Sequence, residues 1–458
     1  MAEPSNSSTC HVVAIPYPGR GHINPMMNLC NLIALRHPSN FLITVVLTQE
    51  WLGFIQPEPK PSNIRFATIP NVIPSEVNRA DDFPGFFNAT LTKMEEPVEQ
   101  LLRGMVVPPI SVVIYDTYLS WVLNMGSRMN VPVASLFTMS ATVFAMMYYY
   151  HLLVENCNAG DNFSGNMEEL VDYIPGVPPT RVADLVTVFN GNGKEVRAAT
   201  LLAISMSAKA QFLLFLSVYE LEAQVIDALK SELCVPIYVI GPAIPYFRLN
   251  DMQNDQNAPE YVRWLDRQPP ASVLYISQGS FLSVSDAQLE EIIVGVHDSG
   301  VRYMWIARDE KTRSKCENDE KGLVIPWCDQ LRVLCHGSIG AFWSHCGWNS
   351  TKEGAFSGVP MLTFPIFFDQ VPNSKMIVED WKMGRRVSVG EGILVTREEI
   401  SKLVRSFMDR ESEEGKEARK HAKEVKMICR QVIAEGGSAQ IDIDSFISDI
   451  SKSGLWSQ

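Results

Sequence analysis

What most narrows the fold of this chain is a series of short apolar runs of strand length with helical patterns between them. "HVVAIPYP" (11–18), "FLITVVLT" (41–48), "IRFATIP" (64–70), "SVVIYD" (111–116) and "PVASLF" (132–137) are nearly continuous in apolar residues. "FLLFLS" (212–217) and "IYVIGP" (237–242) extend the series. A strand apolar on both faces must be covered on both, and intervening helices supply the crossovers of a parallel sheet. The pattern then restarts with "SVLYIS" (272–277), "RYMWIA" (302–307), "IGAFWS" (339–344), "VPMLTF" (359–364) and "RRVSVG" (385–390). Between the two series lies "GPAIPYFRLNDMQNDQNAPE" (241–260), whose Pro, Asn and Asp content reads as a linker. At 458 residues the chain exceeds one core. The expected fold class is α/β, with two doubly wound domains facing across a cleft. The first spans 1–240 and the second 261–435, with a helical end at 436–458 packing back on the first. Ligands of such sheets bind beyond the carboxyl ends of the strands.

Charge and cysteine usage remove several function classes. The formal net charge of -13 argues against nucleic-acid partners, which need a basic surface. An anionic ligand would then be met by local dipoles and a few placed cations. The nine cysteines are odd in number and include no C-x-x-C pair, which fits free thiols in a reducing cytoplasm. The N-terminal "MAEPSNSSTC" lacks the basic and apolar regions of a signal peptide. One uncharged stretch, "MNVPVASLFTMSATVFAMMYYYHLLV" (129–154), has the length of a membrane span. Pro132 and its hydroxyl-bearing residues point instead to a strand at 133–137 followed by a buried helix, so no integral membrane segment is expected.

The residues richest in chemistry are "HCGWNSTKEG" (345–354), at a strand–turn–helix junction. Gly347 allows a tight turn and close backbone approach, and Asn349 and Ser350 are residue types that cap helices. A helix start attracts anions through its unpaired N–H groups and dipole, by about 0.3–2 kcal/mol. A diphosphate needs more, and His345 at the strand end could add a charge-assisted hydrogen bond. Glu353, a turn further on, suits ribose hydroxyls better than phosphates. Alone, these residues are equally consistent with a capped helix around a buried indole.

The wider window separates the two. From Trp327 to Gln370, 44 residues run from "WCDQLRVLCH" through "HCGWNST" and "GVP" to "PIFFDQ". This resembles the signature of plant secondary-product glycosyltransferases, and with "PYPGRGHINPM" and "SQGS" (277–280) the resemblance to the plant family 1 UDP-glycosyltransferases extends over nearly the whole chain. It implies two Rossmann-like doubly wound domains in the GT-B arrangement. It further implies that Trp327 stacks on uracil while the main chain of Cys328 meets the base edge. Gln330 and Glu353 would hold the ribose. His345, Asn349, Ser350 and Ser280 would hold the diphosphate, and Trp348, Asp369 and Gln370 the sugar. The usual Ala-Pro after the first Trp is here Cys328-Asp329, which a main-chain contact tolerates.

"GRGHINP" follows the first strand, but Asn24 breaks the dinucleotide fingerprint G-x-G-x-x-G, which argues against a nicotinamide-dependent oxidoreductase. An imidazole, with an ordinary pKa of about 6.5, suits proton abstraction near neutrality. His22 matches the family's catalytic base. Asp116, ending another strand, could orient it. Phe137, Ser140, Phe144 and Met147 are expected along an acceptor wall. "DID" (442–444) reads as a solvated helix face, so no metal and no cofactor is expected. The resulting expectation is a monomeric, inverting transferase that uses UDP-glucose and a small hydrophobic hydroxylated acceptor. The final Gln370 matches the family's glucose pattern. Another UDP-sugar and a non-catalytic nucleotide-sugar-binding module are the alternatives.

Overall fold

The computed structural model describes residues 9–55, 60–77, 79–105, 107–156, 167–190, 193–249, 258–279, 284–316, 319–387 and 394–453. Seven strands form the first sheet: β1 (Cys10–Ile15), β2 (Phe41–Thr48), β3 (Ile64–Ile69), β4 (Ile110–Asp116), β5 (Val133–Phe137), β8 (Phe212–Phe215) and β9 (Ile237–Val239). Their order is β3-β2-β1-β4-β5-β8-β9, and every pairing is parallel. A small antiparallel pair, β6 (Leu170–Val171) with β7 (Thr180–Arg181), stands apart. The second sheet holds β10 (Val273–Ser277), β11 (Arg302–Ile306), β12 (Gly322–Ile325), β13 (Ile339–Ser344), β14 (Met361–Thr363) and β15 (Gly384–Arg386). Its order is β12-β11-β10-β13-β14-β15, again parallel throughout.

Both sheets are wound in the same way. The chain steps outward from β1 to β3 and resumes with β4 on the other side of β1. It likewise steps from β10 to β12 and resumes with β13 beside β10. Each sheet therefore has one point where strand order reverses, the place where doubly wound sheets bind ligands. The central strands are buried along their whole length, as in β1, β5, β10 and β13, which is why they appear as unbroken apolar runs. The edge strand β12 is half-exposed at all of its positions, and its four residues "GLVI" follow a charged stretch that hid it from the sequence reading.

The chain divides into two compact units. One comprises the described residues up to Val182 together with those of Phe189–Ala243 and those from Val432 on; the other comprises Ala183–Val188 and the described residues of Ile244–Gln431. In the second unit Arg386 donates to Asp184 at 2.8 Å, and Thr187 Oγ1 donates to the Phe368 carbonyl at 3.2 Å. In the first, the helix Ser438–Ser453 lies against β9: Phe446 packs edge-on to Phe212, and the Asp442 carboxylate accepts the Val239 N–H at 2.7 Å. Asp442 thus serves an unpaired sheet group, which corrects the reading of 442–444 as only a solvated face. The long uncharged stretch becomes β5 and the helices Ala141–Tyr148 and Tyr150–Asn156. Among the described residues no helix is long and apolar enough to cross a membrane.

Candidate active site

At the first reversal point, β1 runs into the turn Pro16–Gly19 and the helix Arg20–Arg36, while its neighbour β4 ends at Asp116. Strands paired in register bring these ends together. His22 Nδ1 lies 2.7 Å from Asp116 Oδ2 and 3.0 Å from Thr138 Oγ1, just past the end of β5. Asp116 is 2% exposed, and its other oxygen accepts the Tyr118 N–H at 3.1 Å. An ionised carboxylate only accepts, so this network puts the ring proton on Nδ1 and leaves the Nε2 lone pair as the basic site. The imidazole is 21% exposed. The rings of Tyr17 and Tyr118 flank it, with centroids 4.9 and 5.8 Å away.

At the second reversal point, β10 leads to Gly279 and β13 to His345. Here, among the described residues, no carboxylate pairs with the histidine. It sits between two glycines: a Cβ at Gly279, where φ is +83°, or at Gly347 would come 2.5 Å from its Nε2. His345 Nδ1 is buried near the Ser277 backbone without a well-formed hydrogen bond. Burial pushes the imidazole down to about 4, the Ser277 backbone works the other way, and the nearby Arg308 lowers it further. His345 is therefore neutral at neutral pH, and any charge in a hydrogen bond to an anion comes from the anion. Arg308 Nη2 donates to the Gly279 carbonyl at 2.9 Å, so this cation belongs to the same corner.

The helix Trp348–Ser357 starts here, with Gly347 rather than Asn349 or Ser350 at the N-cap, a residue with no side chain to cap it. Ser350 Oγ instead accepts from Gln330 Nε2 at 3.0 Å, and the same amide donates to Glu353 Oε2 at 2.7 Å. Tyr275 O–H donates to Gln330 Oε1 at 3.1 Å, completing a joined group of Gln330, Ser350 and Glu353. Glu353 keeps part of its surface open but is packed round by protein, and burial pushes its carboxyl up to about 7 against the pull of the Gln330 hydrogen bond. Trp327 is 65% exposed, an unusual cost for an indole that serves no ligand. Cys328 is buried, its thiol 3.4 Å from the Tyr275 hydroxyl.

The sequence also matches known proteins along most of its length. The model of the family described as UDP-glucoronosyl and UDP-glucosyl transferase matches residues 249–413. UDP-glycosyltransferase 87A2 of Arabidopsis thaliana is 51% identical over 96% of this chain and 96% of its own length. UDP-glycosyltransferase 87A1 of the same plant is 48% identical over 96% of this chain and 100% of its own. The chain belongs to the plant family 1 UDP-glycosyltransferases. It is therefore a glycosyltransferase. The solved structure of Medicago truncatula UGT71G1 complexed with UDP-glucose matches with a TM-score of 0.80 at 25% identity, covering 97% of this chain and 99% of that one. The two parallel sheets are the Rossmann-like domains of the GT-B class.

Other expected site residues of the transferase fall differently. Trp348 is buried, with its ring 6.3 Å from that of Trp381. Gln370 Oε1 accepts the backbone N–H groups of Ile366 and Phe367 at 2.8 and 3.1 Å, which leaves its NH₂ as the end able to meet a ligand. Asp369 lies beside it at the start of the helix Gln370–Lys375. Ser280 lies outside the described residues. The expected acceptor wall is corrected. Phe137 and Phe144 are interior, with ring centroids 5.1 Å apart and each packed on Phe215. Met147 is buried too, and Ser140 is the N-cap of the helix Ala141–Tyr148, accepting the Val143 N–H. Their position at or just after the fifth strand placed these residues at the sheet edge but could not say which way their side chains face. The rings packed directly on His22 are those of Tyr17 and Tyr118, both buried, and Phe87 packs in turn on these two. Sequence reasoning also passed over Thr138 and Arg308. Each lies one or two residues beyond a strand's carboxyl end, and that position was the available signal.

Proposed function

We propose that the protein is an inverting glucosyltransferase that moves glucose from UDP-glucose to a hydroxyl of a small hydrophobic plant metabolite, giving a β-glucoside. The observation that carries this reading is the 2.7 Å contact between His22 Nδ1 and Asp116 Oδ2 at a strand-order reversal. His22 Nε2 takes the acceptor's hydroxyl proton as that oxygen bonds to the anomeric carbon. The bond from that carbon to the β-phosphate oxygen breaks, its electron pair leaves with UDP, and attack from the opposite face inverts the α-linked donor. Asp116 stabilises the imidazolium that forms.

The donor is read from the second unit. Trp327 offers an exposed face for uracil, and the main chain of Cys328 lies next to it. Gln330 and Glu353 suit the ribose diol. The helix start at Trp348, with Asn349, Ser350, Ser280 and the neutral N–H of His345, suits the diphosphate, and no divalent ion is invoked. At Trp348 a sugar contact falls to the backbone, since the ring is turned inward. Asp369 accepts from sugar hydroxyls while Gln370 donates from its NH₂. The acceptor class follows the resemblance to the plant secondary-product glycosyltransferases, and the partly open imidazole of His22 leaves room for a hydroxyl at its Nε2.

Competing UDP-glucose, UDP-galactose, UDP-xylose and UDP-glucuronate on one acceptor tests the donor. UDP-glucose is expected to show the highest kcat/KM, and a higher value for any of the others overturns glucose as the donor. Turnover is expected to survive dialysis against a chelator. A loss restored by Mg²⁺ or Mn²⁺ would overturn the metal-free account of diphosphate binding.

A further inference from the structure

Two turns bracket the place assigned to the donor sugar, and each contains a residue in an unfavourable conformation. Cys346, after β13, has φ +66°, and Phe368, before Asp369, has φ +53°. Side chains other than glycine disfavour this left-handed region, so such turns persist only where their surroundings fix them. The Cys346 backbone is fixed from several sides. Its N–H donates to Ser344 Oγ at 3.0 Å, and its carbonyl accepts from Thr351 Oγ1 at 3.3 Å and from Asn373 Nδ2 at 3.0 Å. The same Asn373 nitrogen donates to Asp369 Oδ2 at 2.9 Å. Asn373 is fully buried in the helix that Asp369 begins, and its backbone N–H also reaches the Asp369 carbonyl at 3.0 Å.

We propose that Asn373 is a positioning residue for the donor sugar, tying the Asp369 carboxylate to the Cys346 turn. An amide suits the task because one nitrogen carries two hydrogens in a plane, enough for two acceptors on different segments. Aspartate in its place has no N–H, and an apolar residue leaves a buried carbonyl and a carboxylate each short of a donor. With Oδ2 held, the carboxylate cannot swing about its last bond, so the direction of Oδ1 is set. A bidentate sugar contact depends on that direction. The inference rests on the reading that Asp369 meets the sugar.

The test is a kinetic double-mutant cycle of Asn373→Ala, Asp369→Asn and the double variant, with UDP-glucose kinetics and calorimetric UDP binding. Asn373→Ala is expected to lower donor kcat/KM by roughly 10–100-fold through misplacement of the contact, while UDP, which lacks the transferred glucose, binds as it does to the parent. The double variant is expected to lose little more than the worse single, because Asn373 acts through Asp369. Should Asn373→Ala show no cooperative thermal transition, Asn373→Ser, which keeps one donor, takes its place in the cycle. Additive losses, or a fall in UDP affinity as large as the fall in kcat/KM, overturn the inference. An Asp369→Asn variant with unchanged donor kinetics overturns the reading beneath it and the inference with it. A clear Asp369→Asn loss with additivity overturns the inference alone.

Discussion

Two histidines sit at the strand-order reversals of two sheets of the same winding, on opposite members of the reversing pair. His22 follows β1, and His345 follows β13, the counterpart of β4. Their neighbours make them different reagents. His22 has a buried carboxylate at 2.7 Å and a threonine hydroxyl at 3.0 Å, keeps part of its ring open, and is flanked by aromatic rings. His345 has no carboxylate partner among the described residues, is enclosed between Gly279 and Gly347, and is held neutral with its ring pushed down to about 4. A carboxylate on the far nitrogen prepares an imidazole to take a proton and remain an imidazolium. Desolvation with a cation nearby prepares it to stay neutral and donate. The winding supplies the position and the partner supplies the chemistry.

The largest expected effect comes from breaking the first arrangement. His22→Ala should lower turnover by roughly 10²–10⁴, with UDP affinity close to the parent's. Near-normal turnover would remove His22 from the chemistry. Asp116→Asn should also lower turnover with the fold intact, because an amide offers no charge to an imidazolium and can favour the wrong tautomer. An unchanged rate would mean that Thr138, or another group, orients the ring.

The second arrangement should break through its glycines. Gly279 adopts φ +83°, and a Cβ there would lie 2.5 Å from His345 Nε2. Gly279→Ala should therefore displace the imidazole and raise donor KM by on the order of tenfold or more, consistent with losing one or more hydrogen bonds to a charged group. The acceptor KM should hold. If both substrates weaken equally, the glycine supports the fold rather than the donor. If neither changes, His345 is not held by this contact.

The comparison also shows where sequence was informative. Strand-length runs located the sheet centres because buried parallel strands are apolar on both faces. Once strand ends were placed, His22 and Asp116 could be paired, since adjacent parallel strands end along one edge. Side-chain direction was the limit. Phe137 and Phe144 follow the right strand but face the interior, and Ser140 turns back to cap its own helix. Gln370 lies in the expected turn, yet two backbone N–H groups occupy its carbonyl oxygen, a hydrogen bond set by the fold of 366–370 that no residue pattern encodes. The helix starts two to three residues before the expected caps: Gly347 takes the cap, and Ser350 is drawn into a side-chain group with Gln330 and Glu353.

The smallest expected effect on catalysis, and the one that most sharpens the contrast in desolvation, lies one residue before Glu353. Lys352 is 3% exposed, and its Nζ is buried with no hydrogen-bond partner among the described residues. Burial pushes its ammonium down to about 7, only partly offset by the neighbouring Glu353. In the unfolded chain this lysine holds its proton up to its ordinary value of 10.5. Between pH 7 and 10.5 the unfolded state therefore binds more protons, so stability rises with pH across that window, and below pH 7 the full penalty applies. Glu353, raised from 4.5 to about 7, acts in a separate window: between these values the folded state binds more protons, and stability falls as pH rises. Lys352→Met keeps the length of the unbranched stem and removes the charge. At neutral pH it should stabilise the protein by roughly 1–3 kcal/mol, the cost of burying an unpaired polar group, and raise the apparent Tm by a few degrees. The rise of parental Tm from pH 7 to 10 should flatten in the variant, with donor kinetics close to the parent's. A variant that melts below the parent and keeps the parental slope would show that the ammonium is satisfied in solution, and that the desolvation of this helix is less complete than its buried lysine implies.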